Sequence, residues 1–407
     1  MRVLHLSLTD FRNYASAEVE LARGPNLFVG RNGQGKTNLV ESLGYLATLG
    51  SHRVSNDSAM IRAGFDSAIV RAKIESSERD LLVEVQINRS APNRAQINRG
   101  AIKPRELPRY FSSILFAPED LSLVRGEPGG RRRFLDELLV ARNPRLAGVL
   151  SDYDRVLRQR NTLLKSARNT GVKGDKLSTL DIWDDRLVVL GSEIIASREM
   201  LVEALRPEVG AAYQSVAGDD HAADLSTVVS IRGRLQEHDD PIESAQPALP
   251  AAEIEPTFRE AVARVRRNEL ERGVTLVGPH RDDLFLQLNG LPARGYASHG
   301  ESWSFALALK LASAAVLRRE SATGDPVIVL DDVFAELDRT RRERLADAVA
   351  DYEQVLITAA VEEDVPERLA AHVVRISKGR IVESEPPRVP APVASAPSPE
   401  ASIDGGA

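Results

Sequence analysis

The sequence predicts an α/β fold: a mixed sheet flanked by helices, assembled from both ends of the chain, with a helical lobe inserted between them. Three observations predict it. A glycine-rich loop, "GRNGQGKT" (Gly30–Thr37), lies between an apolar strand and a helix. A second apolar strand, "PVIVLDDV", ends in two adjacent acids, Asp331 and Asp332. The 294 positions from Thr37 to Asp331 contain a long stretch of helical periodicity rather than one continuous α/β pattern.

The elements follow in order. Residues 2–8 alternate as a strand, with Val3, Leu4 and Leu6 apolar. "AEVELARGPNLFVG" continues as strand around a Gly24-Pro25-Asn26 turn, and a helix is expected from Lys36 to about Leu49. Residues 66–102 read as β-strands separated by turn residues. From Arg131 to Ala217 apolar residues recur at helical spacing, which predicts an antiparallel arm broken at Gly171–Asp175. Glu237–Pro256, rich in Pro, Ala and acids, reads as a loop, and a helix is expected over Thr257–Gly273. The β pattern resumes at Val274, with Asn289-Gly290 as a hairpin turn. A helix after Ser298 and strands at "PVIVLDDV", "QVLITAA" and "AHVVRISKGRIV" complete the head. The expected organisation is therefore head (1–130), inserted lobe (131–273), head (274–383) and a disordered Pro-, Ala- and Ser-rich tail (384–407).

Composition narrows the function. The chain has 407 residues, 43% hydrophobic and 28% charged, a soluble-protein balance. It has no cysteine, which excludes disulfides, thiolate metal sites and a thiol nucleophile. The N-terminus carries no apolar run of signal-peptide length, and no stretch approaches the ~20 apolar residues of a membrane span. A cytoplasmic protein is expected. The net charge of -6 means that any nucleic-acid surface must be local.

The glycine loop specifies its own chemistry. Gly30, Arg31, Asn32, Gly33, Gln34, Gly35, Lys36 and Thr37 match the phosphate-loop pattern without a mismatch. Gly33 and Gly35 let backbone N–H groups converge on phosphate oxygens, and the following helix adds its positive end. Lys36 is placed to reach the β- and γ-phosphates of ATP, and the Thr37 hydroxyl to ligate Mg²⁺. Asp331, ending an apolar strand, supplies the partner acid for that Mg²⁺. Asp332 is the candidate general base for an attacking water.

Ser298-His299-Gly300-Glu301-Ser302 resembles the signature motif of ABC-type ATPases, which usually reads Ser-x-Gly-Gln. The same residues also make a capping box, Ser298 at the N-cap and Glu301 three residues on, and both readings can hold together. With these pieces placed, the chain resembles the RecF family of bacterial recombination and repair ATPases, in the SMC/ABC-ATPase class. The matching runs are "LTDFRNY" (8–14), "GRNGQGKTNLVES" (30–42), "LFAPEDLSLVRGEPGGRRRFLD" (115–136), "YDRVLRQRN" (153–161), "VGPHRDDL" (277–284), "SHGESWSFALALKLA" (298–312) and "VIVLDDVFAELD" (327–338).

The resemblance implies an ABC-type ATPase head with the helical lobe in place of a long coiled coil. It implies ATP-dependent homodimerisation on DNA, in which Ser298 and the N–H groups near Gly300 contact the γ-phosphate bound by the other subunit. It also implies slow hydrolysis, delivery of recombinase to gapped DNA with RecO- and RecR-type mediators, and support of the SOS response. "AELD" resembles the D-loop, with Asp338 as its acid. The chain departs from the ABC pattern in three places. Glu301 stands where Gln is usual, "FAPEDL" lacks the Q-loop Gln (Glu119 or Asp120 taking its place), and Ala360 occupies the region of the switch His. These departures argue against a transporter subunit; a clamp that binds ATP without turnover is the alternative. His280 and Arg281 are carried as interface or nucleotide-proximal candidates, and Arg12, Asn13 and Tyr14 as adenine- or ribose-proximal ones.

Basic residues cluster in two places. Segment 131–176 has an excess of seven positive charges and includes Arg131, Arg132 and Arg133. Segment 87–109 has an excess of five, with Arg94, Arg99 and Lys103 on a hairpin-like stretch. Both are candidates for DNA-backbone contacts of low sequence preference.

Overall fold

The structure, a computed structural model, describes residues 1–384 apart from 55, 77–78, 171–177, 219–220, 234–246 and 322. The expected break at 171–175 and the tail beyond Ser384 lie outside the described residues.

The chain opens with β1 (Arg2–Phe11), β2 (Tyr14–Glu20) and β3 (Gly24–Val29), then α1 (Lys36–Thr48). β4 (Ser67–Ser76), β5 (Arg79–Asn88), β6 (Arg94–Ile97) and β7 (Gly100–Ile102) join the first two strands in an antiparallel sheet of order β2-β1-β4-β5-β6-β7. β8 (Ser113–Phe116) enters a different sheet, and α2 (Leu121–Arg125) follows it. The lobe is α3 (Pro128–Arg142), α4 (Leu146–Thr170), α5 (Ser178–Ala217), β9 (Ala223–Val228) and α6 (Ala251–Arg272). β10 (Asp283–Leu288) and β11 (Leu291–Pro292) lead through the kinked turn α7 (Ala293–Tyr296) into α8 (His299–Glu320). β12 (Val327–Asp331), α9 (Arg339–Val349), β13 (Gln354–Ala359), β14 (His372–Ser377) and β15 (Arg380–Ser384) close the head.

The central sheet has order β15-β14-β3-β13-β12-β8. β14, β3, β13, β12 and β8 run parallel and β15 pairs antiparallel at the edge. Its inner strands β12 and β13 are buried along their whole length because both faces are covered. Val327 and Val329 pack toward α1 and the antiparallel sheet, whereas Ile328 and Leu330 pack toward α8 and α9. The buried Gln354 amide locks the two sheets together, accepting from Val3 N (2.8 Å) and donating to Val3 O (2.8 Å).

α8 shows no helical amphipathicity, for a mechanical reason. Phe305, Leu309 and Val316 pack into the lobe core, while Trp303, Leu307 and Leu311 pack under the central sheet. A helix apolar on every side is buried on every side.

Four local expectations differ from the structure. Residues 251–256 form the first turns of α6 rather than a loop, with Pro256 inside the helix at the cost of the bond its N–H would make to Ala252 O, and with Ile254 and Phe258 buried in the lobe core. β9 has no clear sequence signature; it exists through its antiparallel partner β10. β10, expected in the head, shares its core with β9 and the lobe helices: Leu284 and Leu286 pack with Leu225, Leu187, Ile194 and Phe258. The last expected strand is a hairpin, β14–β15, turned at Lys378-Gly379, where both residues have positive φ.

Candidate nucleotide site

The phosphate loop is held open from behind. Gly33 and Gly35 adopt φ of 78° and 119°, values that an L side chain resists. A Cβ on Gly30 would lie 2.4 Å from Ile376 O, and one on Gly35 2.9 Å from Asn13 Nδ2 and Tyr14 Oη. The Gln34 side chain accepts from Lys378 N (2.7 Å) and its carbonyl from Gly379 N (2.9 Å), so the β14–β15 turn braces the loop. Arg31, Asn32 and Gly33 are exposed on its outer side. No side chain caps α1, whose N-cap is Gly35. Its first N–H groups and its positive end are therefore free for an anion.

The "FRNY" residues serve this frame. Arg12 pairs with the fully buried Glu41 (2.6 Å) and donates to Ala59 O (2.8 Å), which holds Glu41 below the usual carboxylate range against its burial. Asn13 donates to Gln34 O (3.2 Å) and Tyr14 to Gly35 O (3.1 Å). Arg12 and Tyr14 are thus core and loop supports rather than a base-binding edge.

Lys36 is 3% exposed, its Nζ 3.4 Å from Asn32 Oδ1 and 3.9 Å from Asp332 Oδ2. Thr37 Oγ1 donates to Asp331 Oδ1 at 3.0 Å, so residues 294 apart in sequence meet. Asp331 is 3% exposed, and burial pushes its carboxyl up to about 6. Asp332 keeps 32% side-chain exposure and sits in the left-handed region at φ 51°. Burial raises its carboxyl and Lys36 opposes the rise.

Thr358 is a candidate site residue that sequence reasoning missed. At the end of β13, its hydroxyl donates to Asp331 Oδ1 (2.6 Å) and accepts from Asp332 N (2.9 Å). It fixes the near acid and the backbone that aims the far one. It stands two residues before Ala360, the expected switch position, and the parallel register Asp331↔Thr358 is the signal that locates it.

A hydroxyl and a carboxylate converging beside a phosphate loop are hard oxygen donors of the kind Mg²⁺ takes alongside water and phosphate. Thr37 and Asp331 therefore fit that cation.

The signature stretch opens α8. Ser298 is exposed and caps α8: its Oγ accepts from Glu301 N (3.3 Å), and Glu301 Oε2 accepts from Ser298 N (2.7 Å). Arg125 steadies this turn through Ser302 Oγ (3.0 Å). Asp120 is engaged by Lys310 (3.0 Å) and by Ala117 N (2.8 Å). Glu119 is exposed, and its charge contributes to raising Asp331.

The first basic cluster requires correction. Arg131 is 4% exposed, makes a paired contact with buried Asp283 (2.7 and 2.8 Å) and donates to Gly126 O (2.9 Å). Arg132 donates to Asp282 O (2.7 Å). Only Arg133 of the three is exposed. Arg160, also counted there, is fully buried between Asp184 and Glu269. His280 is held by Tyr153 (2.7 Å), with burial pushing it down to about 3, so it is a packing residue between α4 and β10. By contrast, Arg94, Arg99 and Lys103 are all exposed along β6, the β6–β7 turn and the residue after β7.

A phosphate loop joined to a distant acid on a parallel sheet, with a helical lobe inserted between and a signature-type helix bridging both, defines an ABC-type ATPase head. Comparison agrees and goes further. Residues 2–382 match the family described as "RecF/RecN/SMC N terminal domain". "DNA replication and repair protein RecF" of Leifsonia xyli subsp. xyli is 67% identical over 383 residues, 94% of this chain and all of that one. The protein of the same description from Clavibacter sepedonicus is 62% identical over 412 residues, spanning both chains fully. The solved "recombination mediator protein RecF-ATPrS in RecFOR pathway" superposes with a TM-score of 0.82 at 26% identity, covering 94% of this chain and 98% of that one. The chain belongs to the RecF family of DNA replication and repair proteins.

Proposed function

We propose that this protein binds ATP with Mg²⁺, dimerises on DNA with each nucleotide between one subunit's phosphate loop and the other's signature turn, and hydrolyses ATP slowly under DNA stimulation. The observation that carries this reading is the meeting of Thr37, Asp331 and Thr358 beside an uncapped α1. The solved relative described as RecF-ATP supports the choice of nucleotide.

The residues divide the work. The α1 N–H groups and Lys36 take the β- and γ-phosphates. Thr37 and Asp331 hold the Mg²⁺, which when bound neutralises phosphate charge. Asp332 orients a water and accepts its proton as the water oxygen bonds to the γ-phosphorus. The bridging P–O bond breaks, and its electron pair leaves with ADP. Ser298 meets the partner's γ-phosphate. Exposed Arg94, Arg99, Lys103 and Arg133 contact DNA phosphates. On this reading the dimer acts at gapped DNA with RecO- and RecR-type mediators to load recombinase and support SOS induction, in the cytoplasm.

Calorimetry and phosphate release test it together. Lys36→Ala is expected to lose ATP affinity and all DNA-stimulated release. Unchanged affinity would remove the phosphate loop from the reading. Parent chain that binds ATP and DNA without releasing phosphate would leave a clamp without turnover.

A further inference from the structure

We propose that Arg341 is a further residue of the nucleotide site, contacting the triphosphate held by the partner subunit's phosphate loop beside Ser298. The inference rests on the reading that the signature turn faces that nucleotide.

The geometry singles out this arginine. Arg341 lies in the first turn of α9, where Asp338 caps the helix by accepting from Arg341 N (3.0 Å). Its side chain leaves its own helix and crosses to α8. Nε donates to Ser304 Oγ (3.2 Å), and one terminal nitrogen donates to Asp338 Oδ2 (2.6 Å). The other terminal nitrogen has no hydrogen-bond partner among the described residues. It lies flat against Gly300: a Cβ there would stand 3.2 Å from that nitrogen and 3.4 Å from its neighbour. The absence of a side chain at Gly300 is what lets the guanidinium lie on the signature turn.

Electrostatics gives the placement a purpose. Each helix start carries positive partial charge. α8 and α9 both begin here, and a guanidinium is placed between them. Two acids face it: Asp338 caps α9 through Oδ1 and pairs with the guanidinium through Oδ2, and Glu301 caps α8. Asp338 offsets part of this positive charge from one side, and the nitrogen facing Gly300 is left to meet a further anion. A triphosphate is such an anion, and a planar fork with one free nitrogen suits a phosphate oxygen. In phosphoryl transfer an arginine at this point stabilises charge spreading over the equatorial oxygens, and it is worth roughly 10³–10⁵ in rate.

The test uses full-length chain and Arg341→Gln, which keeps a hydrogen-bonding group for Ser304 and Asp338 but removes the charge. ATP affinity of the monomer should stay within about threefold of the parent, since its own phosphate loop is untouched, while DNA-stimulated release should fall at least about a hundredfold. Guanidinium ion at millimolar concentration should restore part of the Arg341→Ala rate, which a purely structural role would not allow. Mixing tagged Arg341→Gln with Lys36→Ala, with crosslinking to score mixed dimers, should recover activity, because one site then pairs an intact Lys36 with an intact Arg341. A near-parent rate for Arg341→Gln overturns the proposal. So does absence of guanidinium rescue, or mixed dimers without activity when the Ser298→Arg and Lys36→Ala pair does recover. If that control pair forms dimers without activity, the reading beneath the proposal has failed, and the proposal with it.

Discussion

Thr358→Val is the substitution most diagnostic of this site. It exchanges a hydroxyl for a methyl of similar size at a fully buried position, so packing changes little. It removes two hydrogen bonds: the 2.6 Å donation to Asp331 Oδ1 and the 2.9 Å acceptance from Asp332 N. The first is charge-assisted whenever Asp331 is ionised, and such bonds contribute about 1.5–3 kcal/mol. Its loss therefore raises further a carboxyl that burial already holds at about 6.

Mg²⁺ requires that carboxyl ionised. The folded pKa lies above the ordinary value, so the ionised form is lost as pH falls through it, and the substitution moves that loss to higher pH. The assay is a Mg²⁺ titration of ATP binding at pH 6.5, 7.5 and 9. Half-saturation should rise roughly 10- to 100-fold at pH 7.5, the usual effect of removing a residue that orients a metal ligand, and the deficit should shrink at pH 9. Thr358→Ser, which keeps the oxygen, should behave as the parent. A Mg²⁺ requirement equal to the parent's at every pH would refute the reasoning.

Asp332→Asn should retain ATP and Mg²⁺ binding but stop turnover, leaving an ATP-held dimer on a sizing column; parent-rate phosphate release would remove Asp332 as base. Arg131→Ala should destabilise the fold by about 3–5 kcal/mol in urea unfolding, because it strands buried Asp283. Charge reversal at Arg94, Arg99 and Lys103 should instead leave stability intact and flatten the log-affinity against log-salt slope by roughly two to three. Asp282 is fully enclosed, and burial pushes its carboxyl up to about 6. The folded state therefore binds more protons than the unfolded chain between about pH 4 and 6, and this contribution to stability is lost as pH rises through that window. Relative to the parent, Asp282→Asn should gain about 3 kcal/mol between pH 4 and pH 7, the worth of lifting a carboxyl from its ordinary value to about 6; a pH-independent difference between the two would contradict it.

The parts of the site that the sequence makes legible are those whose chemistry is local. A phosphate loop needs positive-φ glycines, a lysine and a hydroxyl in one short stretch, so Gly33, Gly35, Lys36 and Thr37 declare themselves. An acid at the end of a doubly buried strand does so too, which is why Asp331 and Asp332 could be assigned. Thr358 and Arg341 could not. Each is an ordinary residue until strand register or helix crossing brings it beside Asp331 or Gly300. β9 was missed for the same reason, since its hydrogen-bond partner lies on a strand far along the chain.

Charge counting failed where burial intervened. Arg131 and Arg160 fall in a segment that reads as a surface cluster, yet they and Arg198 are each more than nine-tenths buried and reach an acid on another element: Asp283, Glu269 and Asp136. The lobe has few long-range backbone pairings to fix the positions of α3 to α6, and these pairs tie α3 to β10, α4 to α6, and α5 to α3. Breaking one partner leaves an uncompensated buried charge, so such pairs specify an arrangement more sharply than apolar contacts of the same area. The excess positive charge of segment 131–176 is therefore in part a scaffold. The lobe that it fixes is the body against which α8, and with it Ser298 and Gly300, is held.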